Sequence, residues 1–152
     1  MSSIEAVSDD QNPSANVAFL VIDDDVVDQE IVKRSFKKAH LKHPLIFANN
    51  GEEGLRIMRG EDPNVRLNEP YMVLLDLNMP VMDGFEVLDA IRKDDQLQDK
   101  VVFVLSTSDD ERDVKRAYHS GISGYIKKND IAKGFTEATR MLSSYGNVIV
   151  FP

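Results

Sequence analysis

The sequence contains no cysteine and no tryptophan among its 152 residues. The lack of Cys excludes disulfides, thiolate metal ligands and a Cys nucleophile, and it fits a reducing compartment. No apolar run reaches the roughly 18 residues of a transmembrane helix, and the N-terminus lacks the basic-then-apolar order of a signal peptide. Positive charge is also in the minority, since the net charge is −8, which argues against nucleic acid as a partner. We therefore expect a cytoplasmic protein that binds neither membranes nor nucleic acid.

Short apolar runs and helical periodicities alternate along most of the chain. Residues 1–16 are rich in Ser, Asp and Asn, so we expect a disordered leader there. From residue 17 the chain carries five apolar runs, each of which is followed by a segment of helical spacing: 17–22, 45–48, 71–75, 101–105 and 124–127. Uninterrupted apolar strands joined by helices predict a parallel sheet with helices on both faces, which is a three-layer α/β/α sandwich over residues 17–144.

Turn and cap residues set the expected helix ends. Val27, Ile31 and Phe36 recur at helical spacing, which predicts a first helix over 26–39 with these residues on its buried face. Asn49 or Asn50 is a suitable N-cap for the second helix. The late part of the first helix also carries a basic zone, which we interpret either as a solvated face or as a docking surface for a kinase: Lys33, Arg34, Lys37, Lys38, Lys42, His40 and His43.

Chemically distinctive side chains follow the predicted strands. Asp23 and Asp24 come after the first strand, Asp76 after the third, Ser106 after the fourth and Lys128 after the fifth. Right-handed crossovers bring the carboxyl ends of parallel strands to one edge of the sheet. If the first and third strands are neighbours, the three acids converge at the point where the strand order reverses, which is where such sheets bind ligands.

Three converging carboxylates indicate a cation. They repel one another without one, and hard oxygen ligands suit Mg²⁺, which also leaves positions open for phosphate oxygens. A carboxylate can itself attack phosphorus and form an aspartyl-phosphate. Asp76 has the acids on one side and Ser106 and Lys128 on the other, which predicts it as that nucleophile. The alternative is that these acids and Lys128 form an ordinary surface ion-pair cluster.

Several motifs together give the chain a recognisable likeness. They are the stretches 19–24 (FLVIDD), 75–84 (LDLNMPVMDG) and 124–128 (GYIKK), with Ser106 between the last two. In this combination the chain resembles the receiver domain of two-component response regulators over residues 17–144. The resemblance implies a doubly wound, flavodoxin-like sheet of five strands in the order 2-1-3-4-5.

The resemblance also implies roles for the metal-binding residues. Asp76 would be the phosphoacceptor. Asp24 would ligate Mg²⁺ directly and Asp23 through water, and the main-chain carbonyl of Asn78 would complete the protein ligands. The chain would then be a signalling protein rather than an enzyme that acts on external substrates.

A further set of residues would sense the phosphoryl group. By the same resemblance, Ser106 is the switch hydroxyl, Tyr125 the aromatic that changes rotamer with it, and Lys128 the lysine that pairs with the phosphoryl group. The adjacent Lys127 should point away, because side chains alternate along a strand. Members of the family usually have Pro after this lysine with a cis peptide, whereas here Asn129 follows, so we expect a trans bond.

The C-terminal residues form a separate feature. The stretch 148–152 (VIVFP) looks like a strand, and residues 145–152 would be an apolar arm that either folds back on its own domain or crosses to a second subunit in a homodimer. An arm of this kind resembles single-domain regulators associated with bacterial phytochrome kinases. The narrower resemblance implies a bacteriophytochrome as the cognate histidine kinase.

Three hypotheses about function result. The first is a stand-alone response regulator that accepts a phosphoryl group from a histidine kinase and signals to a downstream phosphotransfer or effector protein. The second is a phosphorylation-independent dimeric adaptor, against which the intact acid triad argues. The third is a Mg²⁺-dependent phosphatase, which would require an acid where Asn78 stands.

Overall fold

The computed structural model describes residues 17–128 and 136–152. The five strands are β1 (Ala18–Ile22), β2 (Leu45–Ala48), β3 (Tyr71–Asp76), β4 (Val101–Ser106) and β5 (Gly124–Lys127). The helices that alternate with them are α1 (Val26–Lys38), α2 (Gly51–Met58), α3 (Gly84–Lys93), α4 (Glu111–His119) and α5 (Thr136–Val148). All strand pairs are parallel, in the order β2-β1-β3-β4-β5. The predicted doubly wound fold and its strand order are therefore confirmed.

The register of the central strands brings the predicted site residues to one edge. Ile22 of β1 pairs with Leu75 of β3, and Asp76 pairs with Leu105 of β4. Beyond the strands, the N–H of Leu77 donates to the carbonyl of Leu105 at 3.1 Å, so β3 and β4 stay joined one residue further. Asp23, Asp76 and Ser106 consequently lie at the ends of neighbouring strands. The order of the strands along the sheet reverses at β1.

Alternate strand residues pack into two apolar layers. Leu20 and Ile22 of β1 point to the layer formed with α2 and α3, and Phe19 and Val21 point to the layer formed with α1 and α5. These strand side chains are fully buried, as expected of a sheet that is covered on both faces. Burial of each such side chain contributes about 1.5–3 kcal/mol, so the sheet provides a rigid base for the strand ends.

Asp or Asn caps four of the helices directly after a strand or its loop. The carboxylate of Asp25 accepts from the N–H of Val27 at 2.8 Å, and Asp83 and Glu86 form a reciprocal capping box. Asn50 is the N-cap of α2, at one of the two predicted positions, and Asp110 caps α4. These caps satisfy free N–H groups at the helix starts, which surround the carboxyl edge of the sheet.

Two predictions for the region of α1 were wrong. Val27 is 66% exposed, because the buried face of α1 begins one turn later, at Val32, Ser35 and Phe36. His43 does not belong to a solvated basic zone. It is buried, its Nδ1 lies 2.8 Å from the carbonyl oxygen of Val17, and its Nε2 lies 3.0 Å from Ser143 Oγ. Apolar spacing predicts a helix face but not how far the helix extends beyond the core.

The C-terminal stretch is not a strand. Helix α5 continues to Val148, and the N–H of Ile149 still donates to the carbonyl of Tyr145. The last residues then turn back, and Phe151 packs against the α1/α5 layer beside a cavity of about 80 Å³ that Tyr71 also lines. The β-branched residues favour a strand locally, but the amphipathic helix before them overrides that preference. Residues 145–148 of the predicted arm are therefore helical.

Some predictions fall outside the described residues. These are the leader 1–16, the peptide bond before Asn129, and Ile131 and Phe135 of the last predicted helix. Within residues 17–128 and 136–152, every helix is too short or too polar to span a lipid bilayer.

Candidate functional site

Asp76 is the last residue of β3, and its side chain is completely buried. The N–H of Asn78 donates to its Oδ1 at 3.0 Å. Its other oxygen, Oδ2, is buried and receives no hydrogen bond of acceptable geometry, although the ammonium of Lys128 lies 3.0 Å away. One carboxylate oxygen is thus anchored by the backbone, while the second has only an ion-pair partner.

Three carboxylates meet at this edge of the sheet. One oxygen from each of Asp23, Asp24 and Asp76 lies within 4.8 Å of the others. Asp24 is exposed and Asp23 is buried, and the Oδ1 of Asp23 accepts from the N–H of Asp25 at 2.9 Å. Asp23 Oδ2 is buried without a hydrogen bond. Asp23 Oδ2 and Asp76 Oδ2 are therefore two buried acceptor oxygens without a hydrogen bond, and each has an ion-pair contact with Lys128.

This crowding changes the acidity of both buried acids. Burial raises the pKa of Asp23 to about 7, and the nearby charge of Asp76 adds to the effect. Burial also raises the pKa of Asp76, against the opposing effects of the Asn78 N–H and Lys128. The carboxylates are thus held in ionised form only at a cost, which a bound cation would remove.

Lys128, directly after β5, supplies positive charge to the acids. Its Nζ lies 2.8 Å from Asp28 Oδ2, 3.0 Å from Asp76 Oδ2 and 3.4 Å from Asp23 Oδ2. Burial by itself would lower the pKa of Lys128, but the hydrogen bond that its ammonium donates to Asp28 and the negative charge of Asp23 outweigh this effect and raise the pKa above its ordinary value. Lys127 is exposed, so Lys128 is the lysine that faces the acids.

Hydroxyl groups lie on the other side of Asp76. The side-chain amide of Asn78 donates to Ser106 Oγ at 3.2 Å and to Thr107 Oγ1 at 3.1 Å. Ser106 Oγ also accepts from the N–H of Ser108 at 3.0 Å, and Ser106 is completely buried. The Ser106 hydroxyl is therefore held between the β3 loop and the β4 loop.

Tyr125 is connected to the same loop. Its hydroxyl donates to the carbonyl oxygen of Ser108 at 2.8 Å, and its partly buried ring packs against the α2/α3 layer. Ser106 and Tyr125 thus both bond to the backbone of Ser108, Ser106 through the N–H and Tyr125 through the carbonyl. A shift of either side chain would therefore either break its hydrogen bond to this loop or move the loop with it.

The loop after Asp76 packs tightly against the start of α3. A Cβ on Gly84 would lie 2.5 Å from the carbonyl oxygen of Asp76, so only glycine fits at this position. Val81 in the same loop has φ +67° and is almost fully exposed, which is rare for a β-branched residue. The strand end and helix start are thereby held together beneath the acids.

Above the acids is an open cleft of about 560 Å³. Asp76 and Lys128 line this cleft. It is also lined by side chains of α1, of the loop before α1 and of the loops after β3 and β4: Asp24, Asp25, Asp28, Asn78 and Thr107. The cleft has room for a phosphate-sized group next to Asp76. Its acidic walls would repel an anion unless a cation were also present.

The side chains predicted to form the site do lie close to one another in the structure: Asp23, Asp24, Asp76, Ser106 and Lys128. Tyr125 is joined to them through the β4 loop. Sequence reasoning missed Asp28, and it also missed the side chain of Asn78, for which only a carbonyl role was predicted. Asp28 is an acid in the first turn of a helix, where acids are common because they favour the helix dipole. That signal alone could not single it out.

The sheet is doubly wound, with acids where the strand order reverses and a lysine after the fifth strand. This combination defines a response regulator receiver domain, the class of signalling module used by two-component systems. The family model described as the response regulator receiver domain matches residues 19–139, and the chain belongs to this family.

Individual relatives resemble most of the chain. Response regulator Rcp1 from Synechocystis sp. is 29% identical over 139 residues, which cover 91% of this chain and 93% of Rcp1. The Mn²⁺-bound form of Rcp1 has a TM-score of 0.75 and 28% identity, over 90% of this chain and 99% of that one. The phosphorylated cyanobacterial phytochrome response regulator RcpA has a TM-score of 0.78 and 26% identity, over 89% and 97% of the two chains. A response regulator in red light signaling of R. palustris has a TM-score of 0.76 and 33% identity, over 89% and 98%.

Proposed function

We propose that this protein is a response regulator that accepts a phosphoryl group from a histidine kinase onto Asp76, with Mg²⁺ as the required cation. The observation that carries the proposal is the buried Oδ2 of Asp76. Asp76 lines the open cleft, and this oxygen has no hydrogen bond and lies 3.0 Å from a lysine ammonium. The solved phosphorylated form of RcpA supports the same chemistry here.

The residues present fit a divalent cation. Asp23 and Asp76 each have a buried oxygen without a hydrogen bond, and Asp24 completes a set of three carboxylates. Hard oxygen donors of this kind suit Mg²⁺, and the Mn²⁺-bound form of Rcp1 supports a divalent site. Asp23, Asp24, Asp76 and the main-chain carbonyl of Asn78 would hold the ion. A bound Mg²⁺ would neutralise the acids and offset charge on the phosphoryl oxygens.

In the transfer itself, Asp76 is the nucleophile. A carboxylate oxygen of Asp76 forms a bond to phosphorus as the phosphorus–nitrogen bond of the donor histidine breaks. The electron pair of that bond stays with the imidazole, which takes up a proton. Lys128 contributes an ammonium next to the new phosphoryl oxygens, where a compact point charge is effective. Asp76 needs no general base, because it reacts as the carboxylate.

The hydrogen bonds of Ser106 indicate how phosphorylation changes the surface. If the Ser106 hydroxyl turns toward a phosphoryl oxygen, it gives up its contacts with Asn78 and with the N–H of Ser108. Tyr125 is bound to the carbonyl of Ser108 and would move with that loop. Phosphorylation would then change the populations of two conformations of the surface around Ser106 and Tyr125, which partner proteins recognise.

The proposed partners follow from the relatives. A histidine kinase is the phosphodonor, and the likeness to phytochrome and bacteriophytochrome response regulators supports a bacteriophytochrome in that role. The proposal includes a downstream phosphotransfer or effector protein, a cytoplasmic location and a homodimer through residues 145–152. The exposed Val148 and Val150 provide apolar surface for that dimer.

Intact-mass spectrometry after incubation with acetyl phosphate tests the proposal. The wild-type protein should gain one phosphate-sized adduct in the presence of Mg²⁺ and none in EDTA. Asp76→Asn should gain none, while Asp25→Asn, which removes an exposed acid from the same cleft and retains a capping side chain, should still be labelled. No adduct on the wild-type protein would contradict the proposal and favour the phosphorylation-independent adaptor.

A further inference from the structure

The nearest carboxylate to Lys128 is not one of the three acids that would hold a metal. Asp28 Oδ2 lies 2.8 Å from Lys128 Nζ, closer than the oxygens of Asp76 and Asp23. Asp28 and Lys128 are both mostly buried at one wall of the cleft. An ion pair of this kind is stronger than one on an open surface, because less water screens it.

The local structure of α1 leaves Asp28 free to make this contact. Asp28 is the third residue after the N-cap Asp25, a position where acids often accept a hydrogen bond from the backbone near the cap. Glu86 at the equivalent place in α3 accepts from the N–H of Asp83. In α1 the N–H of Asp25 donates to Asp23 Oδ1 instead, and the Asp28 carboxylate lies against Lys128.

Asp28 also differs from the acid triad in what would neutralise it. It does not belong to the group of carboxylates whose oxygens lie within 4.8 Å of one another. A divalent cation held by Asp23, Asp24 and Asp76 would therefore neutralise those acids and not Asp28. Asp28 would remain as the negative partner of the ammonium in the metal-loaded protein.

We propose that Asp28 is a positioning residue that competes with the phosphoryl group on Asp76 for the ammonium of Lys128. A lysine has three N–H donors, and in this structure three carboxylates surround them. A phosphoryl oxygen must share the ammonium with Asp28, whose charge partly cancels the attraction. Asp28 thus limits how tightly Lys128 holds the phosphorylated state. This inference rests on the proposed function and explains how its phosphoryl affinity is set.

Beryllofluoride is a suitable probe, because with Mg²⁺ it binds an aspartate as a stable mimic of a phosphoryl group. Its affinity for the full chain can be measured by ¹⁹F NMR in wild type, Asp28→Asn, Asp28→Glu and Asp25→Asn, with Mg²⁺ affinity measured separately by calorimetry. Asn at position 28 removes the charge with almost no change in volume. Asp25→Asn removes the same charge from the same cleft without touching Lys128, and it keeps the N-cap.

We expect Asp28→Asn to bind beryllofluoride about tenfold more tightly than wild type, mainly through slower release. Asp25→Asn and Asp28→Glu should stay within about twofold of wild type, because an exposed charge is screened and Glu keeps the competing carboxylate. A gain in affinity separates competition from a structural role, since loss of a structural contact would weaken binding. Equal gains in Asp28→Asn and Asp25→Asn, or weaker binding in Asp28→Asn, would overturn the inference. Failure of wild type to bind the probe would instead refute the proposed function.

Discussion

Replacement of Asp23 by Asn should stabilise the metal-free protein at neutral pH. Asp23 is buried, and one of its oxygens has no hydrogen bond. Burial is the main cause that raises its pKa from 3.8 to about 7. A shift of about three units, at 1.36 kcal/mol per unit, corresponds to about 4 kcal/mol of unfavourable free energy for the ionised form. Asn keeps the bond from the Asp25 N–H, and the raised pKa already includes the attraction of Lys128, so we expect a net gain of up to about 4 kcal/mol.

The pH dependence of this gain has a definite sign. Because the folded-state pKa of Asp23 is raised, the folded protein binds more protons than the unfolded chain between pH 3.8 and about 7. The stability that the protonated form contributes is complete below pH 3.8 and is lost as the pH rises through 7. The advantage of Asp23→Asn should therefore be near zero at pH 4 and reach its full value above pH 7.

Urea unfolding followed by circular dichroism, in EDTA at several pH values between 4.5 and 8, measures the difference. Comparison of the two proteins at each pH cancels the titrating groups that do not interact with Asp23. Addition of Mg²⁺ should stabilise wild type more than Asp23→Asn, because the variant has lost a ligand. A variant that is less stable than wild type at every pH, or a difference that does not change with pH, would refute the reasoning.

Three further predictions concern stability, each measured by urea unfolding. The guanidinium of Arg92 donates to four backbone carbonyls at 2.6–2.9 Å, those of Ser120, Gln98, Lys100 and Gly121. Arg92→Ala should therefore lower the free energy of unfolding by about 3 kcal/mol, and Arg92→Lys by about 2 kcal/mol, because Lys lacks the planar fork. Equal stability of wild type and Arg92→Ala would contradict this. Phe151→Ala should lower the free energy of unfolding by about 1 kcal/mol, because the ring is partly buried. Val150→Ala should leave it almost unchanged, because that side chain is 95% exposed. Equal effects of the two substitutions would mean that the tail does not pack on its own domain. Burial lowers the pKa of His43, so its contribution to stability is present above pH 6.5 and lost as the pH falls below it; His43→Gln should reduce that loss, and the exposed His119→Gln should not.

Much of the fold could be predicted because its strands are buried on both faces. Residues 18–22 of β1 and 101–105 of β4 contain no polar residue to confuse the pattern, and repeated runs of this kind are typical of a covered parallel sheet. Tertiary context decided the features that were predicted wrongly. Val27 has the right spacing for the core but lies beyond its edge. Val148, the first residue of the β-branched tail, is the last residue of a helix that packs against α1.

The candidate site was predictable to the extent that it depends on strand ends. Asp23, Asp76 and Lys128 each follow an apolar run, and a parallel sheet brings such positions together. Asp28 lies on a helix instead, and its contact with Lys128 depends on how α1 is rotated and on which groups satisfy its cap. Neither can be read from spacing. The burial of His43 likewise depends on tertiary contacts, because its ring packs against Phe19 and Phe36 and its nitrogens bond to Val17 and to the distant Ser143.

The most direct test of the central claim is to locate the phosphoryl group. Borohydride reduces an acyl phosphate, so the acceptor aspartate of the phosphorylated protein becomes homoserine, which peptide mass spectrometry can place in the sequence. We expect homoserine at Asp76, and only when Mg²⁺ is present during phosphorylation. Homoserine at Asp23 or Asp24, or an unreduced phosphate on Ser106, would contradict it.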